Sequence, residues 1–179
     1  MANETVVKNQ NVAPFVPDER DAGEADIYPG HAVELTANGN VVKHDAESSV
    51  NTKGVGRGTF AVLSRSDPEL GKSEPYPDGE RVSVMHVPVG GKVDAFLAAG
   101  GDLDDASKAN IEAGEVLEEV DVGALAQHDG TDTVGDGTGL ATETVYDQGA
   151  LYVAEEAVDN SGAAAGVSNQ VRIEVTRIA

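Results

Sequence analysis

From Ile27 onward, short valine-rich segments alternate with glycine, asparagine or proline: HAVELTANGNVVKHD, then GVGRGTFAVLSR, then GERVSVMHVPVGGKVDAF. Alternation with a period of two puts successive side chains on opposite faces of a strand. Turn residues every eight to twelve positions, roughly, cut such strands to the length used in sandwiches and barrels. The pattern predicts an all-β fold, an antiparallel sandwich or barrel with one or two short helices and an extended N-terminal arm. Asn38-Gly39, between Val33/Leu35 and Val41/Val42, is the clearest hairpin because both residues tolerate positive φ. Gly90-Gly91 suggests a second hairpin, after which VDAFLAA (93–99) fits either a strand or the start of a helix. DDASKANI (104–111) is the best helix candidate, opened by aspartates suited to a helix N-terminus. IEAGEVLEEVDVGALAQ returns to strand-like alternation, punctuated by Gly114 and Gly123. Two strands, 150–158 and 171–178, close the chain across a flexible stretch at 160–168.

Residues 1–24 read differently. They are polar, Pro14 and Pro17 bracket Phe15 and Val16, and the run PDERDAGEAD ends the segment. This is the expected arm, and residues 25–179 are expected to form one β-rich domain, as suits a chain of 179 residues. Val6, Val7, Phe15 and Val16 give the arm apolar side chains to bury against a neighbour.

Composition narrows the function. The chain has 32 acidic and 12 basic residues, a formal charge of −20, so nucleic-acid phosphates would be repelled and no nucleic-acid partner is expected. A hydrophobic share of 40%, rich in valine, argues for a folded chain whose charge lies on its surface. Scarce lysine, 4% aromatics and valine-alanine bulk resemble the salt-adapted proteins of halophilic archaea and their viruses, whose carboxylate coats need salt to screen self-repulsion. A calcium-loaded extracellular module is the rival explanation. There is no cysteine, which removes disulfides, thiolate catalysis and cysteine-ligated zinc. MANETVVKNQNVAPF lacks the basic start and apolar core of a signal peptide, and no stretch approaches bilayer-spanning length. A soluble protein that is not exported by an ordinary signal peptide, with no membrane partner, is expected.

Candidate chemistry is sparse. In ALYVAEEAVDNSG, Glu155 and Glu156 would point to opposite faces of a strand, so they are expected to solvate or support structure rather than form the facing carboxylate pair of a glycosidase. The loop HDGTDTVGDGTG carries Asp129, Asp132 and Asp136 among glycines. It lacks EF-hand spacing, yet oxygen ligands on such a loop suit a hard cation, so the three aspartates are the candidate metal ligands. GVGRGTF is followed by strand-like FAVLSR rather than a helix, which argues for a glycine bend and against a phosphate loop. His31, His44, His86 and His128 are widely spaced, and no serine lies in a G-x-S-x-G pattern. No enzyme and no cofactor are expected.

The order YPGHAVELTANGNVVKHD, GVGRGTFAVLS, YPDGERVSVMHVPVGGKVDAFLAAG, ANIEAGEVLEEVDVGALAQ, ALYVAEEAVDNSG and VRIEVTRI resembles the capsid decoration, or cement, proteins of tailed phages and archaeal tailed viruses. The likeness spans about residues 28–178. Glu115 stands where that family often has aspartate, and residues 128–139 look like an insertion. The resemblance implies a structural virion protein that binds the outer surface of an icosahedral capsid, commonly as a homotrimer, and bridges major capsid proteins. In brine such contacts must be apolar or hydrogen-bonded. Val6, Val7, Phe15 and Val16 are the first candidates for them, followed by the strand-end aromatics Tyr28, Tyr76 and Tyr152. The alternatives are a calcium-dependent module for a receptor or glycan, using Asp129, Asp132 and Asp136, and another virion subunit of shell or tail. A carboxylate-pair hydrolase is disfavoured, since no acid stands in an apolar setting that would raise its pKa.

Overall fold

A computed structural model describes residues 18–44, 60–62, 74–128, 132–134, 143–145 and 151–178. Fourteen strands run through them: β1 (Asp18–Asp21), β2 (Ala32–Leu35), β3 (Val41–Lys43), β4 (Phe60–Val62), β5 (Arg81–His86), β6 (Lys92–Leu97), β7 (Asn110–Ile111), β8 (Val116–Val120), β9 (Ala124–Gln127), β10 (Asp132–Val134), β11 (Glu143–Val145), β12 (Leu151–Ala154), β13 (Val158–Asp159) and β14 (Val171–Arg177). The fold is all-β. The helical pieces among the described residues are short 3₁₀ turns.

The strands form two units in succession. The first is a five-stranded antiparallel sheet in the order β1-β5-β4-β2-β3. Its two edges meet at one end, where Ala22 bridges Val41 and the Gly23 amide donates to the Val41 carbonyl at 2.7 Å. The second unit is a closed barrel, β12-β14-β6-β9-β8, antiparallel except where β6 runs alongside β9. Two small ribbons, β10-β11 and β13-β7, complete the set.

One local device launches four of these strands. At Tyr28–His31, Pro77–Glu80, Pro88–Gly91 and Glu112–Glu115, the fourth residue's amide donates to the first residue's carbonyl at 3.1, 3.2, 2.8 and 3.2 Å. The third position is Gly30, Gly79, Gly90 or Gly114, with φ of 102°, 77°, 83° and 91°, the geometry of a type II turn. Three residues beyond each glycine stands a buried aliphatic side chain: Val33, Val82, Val93 or Leu117. The turn therefore sets both the direction of β2, β5, β6 and β8 and the phase of their inward faces.

Three apolar clusters follow. Ala22, Ile27, Val33, Val41, Tyr76, Val82 and Val84 fill the sheet unit. The barrel holds a larger group that includes Leu97, Ile111, Leu117, Leu125, Ile173 and Val175. Between the units, Phe96, Ala98 and Ala124 pack with Tyr28, Leu103, Val120 and Val122.

Several expectations change. Residues 18–21, assigned to the arm, are strand β1 on β5, and Ala22 is buried in the sheet core. Gly90-Gly91 does lie in a tight turn, but it passes the chain from the sheet to the barrel: β5 pairs with β1 and β4, β6 with β14 and β9. Segment 93–99 is mostly strand β6. Val93, Ala95 and Leu97 face the barrel core while Phe96 and Ala98 face the junction. A strand buried on both faces loses its alternation and reads like a buried helix. In 104–111 the aspartate cap is real, with the Asp105 carboxylate accepting from the Ser107 amide at 2.9 Å. Only the 3₁₀ turn Ala106–Ala109 follows it, because Asn110–Ile111 pairs with β13 and seats Ile111 in the barrel core.

Candidate functional site

The terminal acidic stretch is a fastening. β12 ends at Ala154, and the Glu155 amide donates to the Glu174 carbonyl at 2.9 Å. The Glu155 carboxylate takes the Lys92 ammonium at 2.8 Å and the Thr176 hydroxyl, and the Lys92 bond first of all holds its pKa below the usual carboxylate range. Glu156 accepts from the Glu174 amide at 3.0 Å. Next along the chain, Asp159 accepts from the amide and hydroxyl of Ser161, and buried Asn160 donates to the carbonyls of Ala98 and Asn169, both at 3.0 Å. These groups tie β12, β14 and β6 together and pin the loop after β13. Each has a structural hydrogen-bond partner.

The barrel wall carries buried polar groups. Glu118 and Glu119, adjacent on β8, are both buried. His128 Nδ1 lies 2.6 Å from Glu118 Oε2, and the Tyr152 hydroxyl donates to Glu119 Oε1 at 3.0 Å. Burial above all keeps the Tyr152 phenol protonated far beyond the ordinary range, so it serves as a permanent donor. The nearby cavity, lined by Gly30, Ala32, Val93, Ala95, Gly123, Leu125 and Tyr152, is about 10 Å³ and apolar, room for roughly one water. It offers no space to a substrate.

A second polar cluster lies where the sheet meets the barrel. His31, fully buried at the start of β2, receives the Tyr28 amide on Nδ1 and bonds Gln170 Oε1 through Nε2, each at 3.1 Å. Phe96 lies 4.6 Å from the His31 ring between centroids, and the Arg172 guanidinium stands 4.0 Å over Phe96.

The predicted contact residues divide. Val6, Val7, Phe15 and Val16 lie outside the described residues, as do Asp129 and Asp136. The backbone of Asp132 opens β10, opposite Val145. Tyr76 and Tyr152, named as strand-end aromatics for contacts, are core side chains only 4% exposed. Tyr76 pairs with Ile27 across an isolated bridge, and Tyr152 packs in the barrel core with Leu117, Leu125 and Ile173. Tyr28 is half-buried in the junction. Among the described residues no three His, Asp or Glu side chains gather as a metal site.

A different apolar spot is open to solvent. Val89 is 60% and Ile178 42% exposed, and they sit side by side: the Gly90 amide donates to the Arg177 carbonyl at 2.7 Å and the Arg177 amide to the Gly91 carbonyl at 3.0 Å. In VPVGG, Val89 follows the buried Val87 at a spacing of two, so the valine pattern alone does not mark it as exposed. The signal that does is its place at the second position of a turn, where the chain leaves the sheet.

Compared with protein-family profiles and with curated proteins, the chain has no match.

Proposed function

We propose that this protein is a capsid decoration protein, a structural and non-enzymatic subunit that binds the outer surface of an icosahedral shell, bridges major capsid proteins and works in high salt. The observation that carries the reading is the course of the strands. The segments through which the sequence resembles that family fall largely on paired strands in chain order: β2 to β3, β5 to β6, β7 to β9, β12 to β13 and then β14. A closed barrel supports a role that requires stiffness. The Val89 and Ile178 pair adds an apolar contact on a chain of charge −20, the kind of contact that still works when salt screens charge. Association as a homotrimer would multiply such small contacts by avidity.

The test is cosedimentation of the purified protein with shells stripped of it, in molar NaCl, with and without a chelator. The proposal expects saturable binding that the chelator does not change. Protein left in the supernatant at saturating concentration contradicts it, and binding abolished by chelation points to the calcium-dependent module instead. The double substitution Val89→Asp with Ile178→Asp is expected to lower shell occupancy while leaving the thermal transition in place.

A further inference from the structure

His31 is held at both ring nitrogens in a way that fixes its proton. The Tyr28 N–H donates to Nδ1 at 3.1 Å, so Nδ1 is bare and the single proton of the neutral ring is on Nε2, which donates to Gln170 Oε1 at 3.1 Å. Gln170, itself buried, donates from Nε2 to the Val122 carbonyl at 3.3 Å. The relay thus starts in the sheet unit and ends on the connection between β8 and β9 of the barrel.

It ends on a strained residue. Val122 has φ 62° and ψ 19°, a left-handed conformation that a β-branched side chain rarely adopts. Gly123 follows with φ 70° and is pressed against the sheet, where an added Cβ would lie 2.7 Å from the Ala32 carbonyl and 3.2 Å from Lys43 Cβ. The Gly123 amide donates to the His44 carbonyl at 3.2 Å. A turn of the barrel is thus held against β2 and β3 from two sides, by the His31 relay and by His44. Strain of this kind persists only where its surroundings over-determine it.

The remaining neighbours make the ring a poor host for a second proton. Lys43 on β3 and Arg172 on β14 are cations acting on it. Phe96 of β6 covers it, Asp94 lies on the same face of β6 as Phe96 and is buried, and Tyr28 stands edge-on at 5.7 Å. His44, at the end of β3, is engaged with Glu34 at 3.5 Å.

We propose that this cluster is an acid-released latch between the sheet and the barrel, closed while His31 is neutral and opened when Nδ1 takes a proton and must give up the Tyr28 amide. Opening would uncover the junction face formed by Phe96, Val122 and Ala124. Burial, reinforced by Lys43 and Arg172, lowers the His31 pKa from 6.5 to about 3 in the closed form. An opened, hydrated His31 returns toward the ordinary value, so opening takes up one proton between these limits. The latch is therefore at full strength above about pH 6.5, weakens as pH falls, and levels off near pH 3.

Amide hydrogen exchange on the full chain in molar NaCl tests this. Protection factors of the Tyr28 and Gly123 amides should fall toward tenfold per pH unit between about pH 6 and 4. The Ala98 amide, bonded to Leu125 O within the barrel, should fall much less. In His31→Gln, which keeps a donor and an acceptor but takes no second proton, the extra loss at Gly123 should disappear. An equal slope in His31→Gln, or equal loss at Ala98 and Gly123 in the native protein, overturns the latch. Should the variant fail to fold, ring ¹⁵N shifts of the native chain decide. The proposal requires bare Nδ1 and protonated Nε2 at neutral pH, with titration below about pH 5, and an Nδ1–H tautomer or an imidazolium at pH 7 contradicts it.

Discussion

The sheet and the barrel begin their strands with the same turn yet close their interiors differently. Within the described residues, the sheet core is mostly valine, with Ile27 and Tyr76, on strands of three to six residues. The barrel packs Leu97, Leu117, Leu125, Ile111 and Ile173, reaches seven residues in β14, and has no edge strand. The sheet does have edges, and β1 reads DERD, a charged edge of the kind that resists pairing with another chain. The comparison teaches that a shared turn fixes strand phase, while side-chain size and closure decide how firmly a unit holds. The closed barrel is expected to be the more stable unit, with the sheet packed on it through the junction.

The largest expected effect is in the barrel. Leu117→Ala, at a fully buried site, should cost about 2–5 kcal/mol by urea denaturation in molar NaCl, whereas Val33→Ala, the equivalent position in the sheet, should cost about 2 kcal/mol. Equal losses would break the contrast.

A pair of glycine substitutions sharpens it. Gly30 and Gly114 hold the same place in the same turn, so alanine at either brings about 1–2 kcal/mol of left-handed strain. At Gly30 a Cβ would also fall 2.3 Å from Arg172 Nη1 and 2.6 Å from the Asp94 carbonyl, whereas at Gly114 nothing lies within 4 Å. Gly30→Ala should therefore lose ~1–3 kcal/mol more than Gly114→Ala, because the sheet's turn is wedged against the barrel and the barrel's own turn is open. Thermal melts of both variants measure the difference.

Removing residues 1–16 should leave the melting transition close to that of the full chain, since β1 begins at Asp18, and should reduce attachment to shells. A deletion reaching 24 should instead destabilise the sheet by removing β1 and Ala22. The smallest effect belongs to Lys92→Met. That half-buried side chain links Glu155 at 2.8 Å and Glu174 at 3.7 Å, and the slight loss expected in low salt should vanish as NaCl rises.

Much of this was legible from residues. The Asn38-Gly39 hairpin is present, with Gly39 at φ 84° and β2 paired to β3, because a positive-φ residue between alternating segments leaves few other solutions. The two closing strands are present as β12 and β14, which pair, but the first stops at Ala154 rather than running to 158, and Val158–Asp159 is a separate strand on β7. The partition into two units was not legible, since a glycine pair between two strands reads alike whether the strands pair or part. Nor was the burial of Tyr76 and Tyr152, which the sequence offers as strand-end contact aromatics although Tyr152 donates to Glu119 inside the barrel. The His31 relay joins residues 139 positions apart, a distance no local pattern spans.

The central claim is attachment to a capsid exterior, and electron cryomicroscopy of shells saturated with the full-length protein in molar NaCl tests it most directly. The account predicts ordered density on the outer surface at local threefold positions, contacting neighbouring capsid subunits. A bare outer surface at saturating protein would contradict it.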